Sequence, residues 1–106
     1  MVAEEHACKF LLKHGLSLVK QNFYSRFGEI DLIMQDGDTL VFVEVRKRQQ
    51  GLTQALESIT YAKQQKLVRA ARYYLLKLGK EVMCRFDAVL IDGHGECGWL
   101  KNIIVG

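Results

Sequence analysis

The sequence predicts an α/β fold: a mixed central sheet that contains an antiparallel hairpin and is flanked by two helices. Three observations carry this reading. Residues 28–35 and 39–47 are strongly apolar runs separated by a polar Asp36-Gly37-Asp38 turn. Residues 3–14 and 53–78 repeat apolar side chains at helical spacing. A further apolar run, 83–91, follows the second helix. The order helix, three strands, long helix, strand belongs to an α/β domain with a mixed sheet.

The elements follow in turn. In the first helix Ala3, Ala7, Phe10, Leu11 and His14 recur on one side, and Gly15 is a natural stop. Glu4 flanks that stripe, where an acid either reaches past the edge of the core or answers the positive end of the helix dipole. Residues 16–24 suggest a first strand that leads through Asn22 and Ser25 into the hairpin. The helix over 53–78 carries the stripe Leu56, Ile59, Leu67, Ala70, Tyr74 and Leu78 and ends at Gly79. Lys63 interrupts the stripe, so it either snorkels from the rim or aims at a polar site beneath the helix. Asp92-Gly93-His94-Gly95 reads as a turn after the strand 83–91, and residues 99–105 as an edge strand.

The hairpin carries acids where core residues belong. Asp31 lies inside the first run and Glu44 inside the second, and ionised carboxylates are costly to bury unless paired or bound to a metal. Side chains alternate along a strand, so Glu29, Asp31 and Ile33 share one face, and Leu40, Phe42, Glu44 and Arg46 share one in the next strand. A two-residue Gly37-Asp38 loop pairs Asp31 with Glu44. An Asp36-Gly37 loop pairs Glu29 with Glu44 and leaves Asp31 diagonal. Both put Asp31 and Glu44 on one side, whereas a three-residue loop reverses the parity unless a bulge restores it. Two adjacent carboxylates repel, and one pKa rises unless a cation intervenes. Oxygen ligands suit Mg²⁺, which needs one or two carboxylates with water and substrate phosphate. With Arg46 on the same face, the pattern is that of a phosphodiester-cleaving site.

Composition sets the bounds. The chain has 106 residues, enough for one domain over 1–106 with a single core, and is 49% hydrophobic and 25% charged. Fifteen basic against 12 acidic residues give a net charge of +3, too mild to identify a nucleic-acid binder by itself. The distribution says more. Arg46, Lys47 and Arg48 are consecutive, and Lys63, Lys66, Arg69 and Arg72 follow on one helix. Three cysteines without C-x-x-C spacing, and an opening M-V-A-E-E without a leader pattern, give the expectation of reduced thiols in the cytoplasm. No run approaches the roughly 20 apolar residues of a membrane span.

Asp31, Glu44 and Arg46 form D-x₁₂-E-x-R, which resembles the PD-(D/E)-x-K nuclease superfamily with its restriction-endonuclease-like core. The chain is more closely similar to the YraN-like family of bacterial proteins. The similarity runs over about residues 3–92, through E-x-x-A (Glu4 to Ala7), Asn22, G-E-I-D-L-I (Gly28 to Ile33), V-F-V-E-V (Val41 to Val45), Lys63 and R-F-D (Arg85 to Asp87). That family in turn resembles Holliday-junction resolvases. The resemblance implies Asp31 and Glu44 as ligands of Mg²⁺ or Mn²⁺, Glu4 as the acid contributed by the first helix, and Lys63 as a helix lysine at the site. It also implies a nucleic-acid partner, DNA ahead of RNA, and a homodimer. Arg46 stands where the superfamily usually has lysine. Arginine keeps its proton, so its expected role is a phosphate clamp rather than a base.

Three functions are in play. One is a metal-dependent endonuclease acting on structured nucleic acid, with Glu4, Asp31, Glu44, Arg46 and Lys63 as its catalytic set. The second is a nuclease-fold binding module without turnover, which holds phosphates through Arg46, Lys47, Arg48, Lys63 and Lys66. The third is an interaction domain whose hairpin acids make structural ion pairs.

Overall fold

The computed structural model describes residues 2–104. In chain order the elements are α1 (Val2–Lys13), β1 (Ser17–Ser25), β2 (Gly28–Asp36), β3 (Thr39–Lys47), α2 (Leu52–Glu57), α3 (Tyr61–Leu78), β4 (Met83–Ile91) and β5 (Cys97–Leu100). The five strands form one open sheet in the order β1-β2-β3-β4-β5. Only β3 and β4 run parallel; the other neighbours are antiparallel. A parallel pair needs a long crossover, and α2 and α3 supply it. The mixed α/β sheet is the expected one and is compatible with a nuclease-like core.

Alternation along the strands sends two apolar sets to opposite faces. Leu32, Met34, Val41, Val43 and Val45 pack under α1 against Ala7 and Leu11. Ile33, Leu40 and Phe42 pack under α3 against Leu67, Ala70 and Ala71. A third cluster joins Ala55 of α2 and Ile59 to Ala88 and Leu90 of β4. Each fully buried leucine or isoleucine in these layers contributes roughly 1.5–3 kcal/mol by leaving water.

The hairpin register is that of the two-residue Gly37-Asp38 loop: Asp36 pairs with Thr39 and Leu32 with Val43. Gly37 has φ +58, and Asp38 is not among the residues with positive φ. Positive φ at the first loop position alone suits a type II′ turn, whose twist matches the strands.

The expected single helix over 53–78 is two helices. α2 ends at Glu57, where Ser58 Oγ donates to Ala55 O at 2.6 Å. Thr60 is extended, and its Oγ1 accepts the Lys63 N–H at 3.3 Å as the N-cap of α3. Serine and threonine offer the backbone local hydrogen bonds that compete with a continuing helix, and threonine favours the cap position. The break carries Leu56 out of the stripe, leaving it exposed, while Ile59 stays buried. It also moves Lys63 from mid-helix to the first turn of α3.

The last strand starts earlier than expected and ends at Leu100; Val105 lies outside the described residues. Asp87, wholly buried in β4, ties this end together. It accepts from Arg85 Nε at 3.0 Å, Trp99 Nε1 at 3.0 Å and the Asn102 N–H at 2.9 Å. Arg85 also donates to Asp36 at 2.8 Å, so the charge in the core is both paired and hydrogen-bonded. Among the described residues no helix is long and apolar enough to cross a membrane.

Candidate functional site

The two hairpin strands part company after Leu32 and Val43. Beyond that rung β2 continues along β1, and β3 continues along β4. Asp31 and Glu44 are the next residues on each strand, so both acids stand in the fork. The fork also leaves a backbone donor without a ladder partner, and Asp31 Oδ2 takes it, accepting the Val45 N–H at 2.8 Å. An acid inside an apolar strand is thus held by the strand beside it.

Glu44 is 9% exposed and stands beside Asp31 in the fork. Burial, then the hydrogen bond and the charge of Asp31, push the Glu44 pKa up to about 8, while Arg46 and Lys63 pull it back. Arg46 Nη2 lies 3.3 Å from Glu44 Oε2. Its Nε is buried with no hydrogen-bond partner. A buried donor left unpaired costs about 1–3 kcal/mol, and a ligand oxygen would relieve that cost.

These groups open onto a cavity of about 330 Å³ between the fork and α3, lined by Glu29, Asp31, Glu44, Arg46, Lys63 and Lys66 among others. Gly28 forms part of its wall. Gly28 has φ +143, and a Cβ there would come within 3.4 Å of the Lys66 backbone oxygen and Cβ. Glycine therefore lets the β1–β2 turn close against α3, which places Lys66 beside the cavity. Lys63 reaches the same cavity because the break at Thr60 starts α3 there.

Not every expected site residue converges. Glu4 does not line the cavity. It rides on half-buried α1 positions across the sheet from α3, with Oε1 buried and unpartnered. Lys47 and Arg48 lie beyond the cavity wall, and Arg48 Nη1 donates to the Lys47 carbonyl at 2.7 Å. Glu29, which the sequence offers only as a register alternative, lines the cavity. The signal for it was its parity with Asp31.

The donor set can be matched to a cation. Among the described residues no group of three or more His, Cys, Asp or Glu side chains is placed to hold a metal. The carboxylates available at the fork are Asp31 and Glu44. Mg²⁺ keeps several waters and takes one or two carboxylates, so an all-oxygen pair fits it or Mn²⁺ better than a soft metal. Burial and the neighbouring Asp31 push the Glu44 carboxyl toward its neutral form, and a divalent cation is the alternative that relieves the same repulsion.

A family model described as "Uncharacterised protein family UPF0102" matches residues 3–91. Among similar proteins, the UPF0102 protein of Nitrosomonas eutropha is 55% identical over 101 residues, covering 94% of this chain and 87% of its own. That of Herminiimonas arsenicoxydans is 48% identical over 104 residues, covering 97% and 83%. That of Dichelobacter nodosus is 52% identical over 103 residues, covering 92% and 82%. The YraN-like resemblance is thereby shown, and the chain belongs to the UPF0102 family.

Proposed function

We infer that this protein is a Mg²⁺- or Mn²⁺-dependent endonuclease that binds structured nucleic acid and hydrolyses a phosphodiester, with DNA the favoured substrate. The observation that carries the reading is the cavity itself: two carboxyls at the strand fork that line it together with Arg46, Lys63 and Lys66.

Asp31 and Glu44 would hold the cation. Bound there, it supplies a water of lowered pKa and neutralises charge on the scissile phosphate. The chain's own groups do the positioning. The Arg46 Nε–H, buried and unpartnered, points to a phosphate oxygen as its acceptor. Lys63 and Lys66 add positive charge from the start of α3, where the helix dipole also favours an anion. Arg46 holds its proton throughout, so it clamps and does not act as base. Glu4 is not among the residues that line the cavity and is given no role here.

A second reading is supported by the same residue. Arginine at the superfamily's lysine position, paired to Glu44 at 3.3 Å, suits a module that binds phosphates without turnover.

Cleavage assays on branched and single-stranded DNA and RNA, with Mg²⁺ or Mn²⁺ against chelator, test the first reading. Metal-dependent products from wild type and none from Asp31→Asn are expected. Tight binding with no product from any substrate selects the second.

A further inference from the structure

Next to the carboxylate cavity lies a second opening of different chemistry. It has a volume of about 270 Å³ and is lined by Phe27, Arg69, Arg72, Tyr73 and Leu76. Its floor is aromatic: the Phe27 and Tyr73 ring centroids are 5.6 Å apart. Its rim is cationic. Arg69 and Arg72 line it, while Arg26 and Lys77, outside the lining set, each sit over one face of the Phe27 and Tyr73 rings at 4.9 Å and 5.3 Å. No acid is among the lining residues, and Leu76 at the mouth is 79% exposed.

The two openings are lined by neighbouring residues of the same turn and the same helix. Gly28 lines the first and Phe27 the second; Lys66 and Leu67 line the first, and Arg69, one turn further along α3, lines the second. The turn between them is fixed. Ser25 Oγ accepts the Phe27 N–H at 3.2 Å and donates to the Gly28 carbonyl at 2.8 Å. Phe27 is therefore presented on a braced turn pressed against α3, with little ordering left to do on binding.

We propose that this slot takes an unstacked nucleobase of the same strand whose phosphate lies at Asp31 and Glu44. The inference rests on the nuclease-like reading above and gives it a substrate class: nucleic acid with an unpaired base flanking the bound phosphate. Aromatic faces ringed by arginine and lysine are what single-strand binding sites use, the rings for stacking and the cations for the backbone. The size agrees. The volume lies just below the roughly 300–1,000 Å³ of sites that enclose drug-sized ligands, so it suits one ring system. The spacing agrees too. Seven residues of helix at 1.5 Å each set Tyr73 about 10 Å along α3 from Lys66. At about 3.4 Å per stacked nucleotide, the base lies within about three nucleotides of the phosphate. A regular duplex keeps its bases inside the stack and cannot fill the slot without extruding one.

The test uses fluorescence anisotropy at fixed salt with two labelled probes: a short oligothymidylate and the same backbone made wholly of abasic sites. Phe27→Leu keeps an apolar side chain in the turn and removes the ring. It is expected to weaken oligothymidylate binding about 5- to 100-fold and to leave abasic binding as in wild type. Arg72→Gln is expected to weaken both probes and to reduce the salt dependence. Folded Phe27→Leu that binds both probes like wild type overturns the base slot while leaving the phosphate reading standing. Wild type that binds neither probe overturns both. Loss of self-association in Phe27→Leu, with oligothymidylate binding intact, assigns the slot to a second copy of the chain and also overturns the proposal.

Discussion

Asp31 and Glu44 are the first residues beyond the point where β2 and β3 separate, and Asp31 is anchored there by the Val45 N–H at 2.8 Å. This placement is a consequence of register. One residue of slip would send one acid to the α1 face among valines.

Cation binding should depend on pH through Glu44. Its carboxyl, normally near 4.5, is raised to about 8, so at neutral pH it is largely protonated and a cation must displace that proton. Affinity for Mg²⁺ or Mn²⁺ is expected to climb by up to about tenfold per pH unit below 8 and to level off above it. Calorimetry in buffers of different ionisation heat should show about one proton released per cation at neutral pH. Release that is absent at neutral pH contradicts the assignment.

The same group sets a slope in stability. Between 4.5 and about 8 the folded state holds a proton that the unfolded chain has lost. Stability from this group is therefore complete below the lower value and declines as pH rises through the upper one. Glu44→Gln keeps the shape without the charge, so its melting temperature relative to wild type should rise steadily from acid to alkaline pH. A difference that stays constant across that range means Glu44 does not titrate in the fork.

Asp87 should matter for folding and not for the cavity. Asp87→Ala leaves Arg85 with Asp36 as its remaining carboxylate and strands the Trp99 indole N–H and the Asn102 N–H. Breaking a buried ion pair from one side costs about 3–5 kcal/mol, and for a domain near 100 residues each kcal/mol is worth about 4–8 °C. Thermal melts should show that fall. Cation affinity of the protein still folded should match wild type; a large loss there would couple β4 to the site.

Arg46 separates clamp from base. Arg46→Ala removes the Nε–H offered to a phosphate oxygen, and about 10²- to 10³-fold of turnover should go with it, the range for loss of a charge-stabilising donor. Arg46→Lys supplies the superfamily's usual group and should retain or raise turnover. Cleavage by Arg46→Ala at the wild-type rate shows that this position is outside the chemistry.

Much of this arrangement was legible in the residues because strand parity is strict. Alternation with a two-residue loop puts Asp31, Glu44 and Arg46 on one face, where a three-residue loop would reverse the parity, and the Gly37-Asp38 loop of the structure makes the acids neighbours. Helix periodicity was less informative. The apolar stripe runs on through Ser58 and Thr60, and only their side-chain hydrogen bonds show that the helix stops and restarts there. That restart places Lys63 at the cavity. Glu4 is a different case: its motif position suggests the site, while α1 packs on the face opposite α3 and Glu4 is not among the residues that line the cavity. Asp87 was visible as an acid within a buried strand, two residues from Arg85 and so on the same face. Its partners Trp99 and Asn102 come from a later segment, and periodicity within one strand carries no information about them.

The most direct measurement of the central claim takes one preparation each of wild type and Asp31→Asn and follows both binding and turnover of a branched DNA in Mn²⁺. The account predicts single-turnover cleavage by wild type, abolished by chelator, and an Asp31→Asn protein that binds the DNA without cutting it. Equal cleavage by the two proteins, or none by wild type in the presence of tight binding, would contradict a catalytic cation held between Asp31 and Glu44.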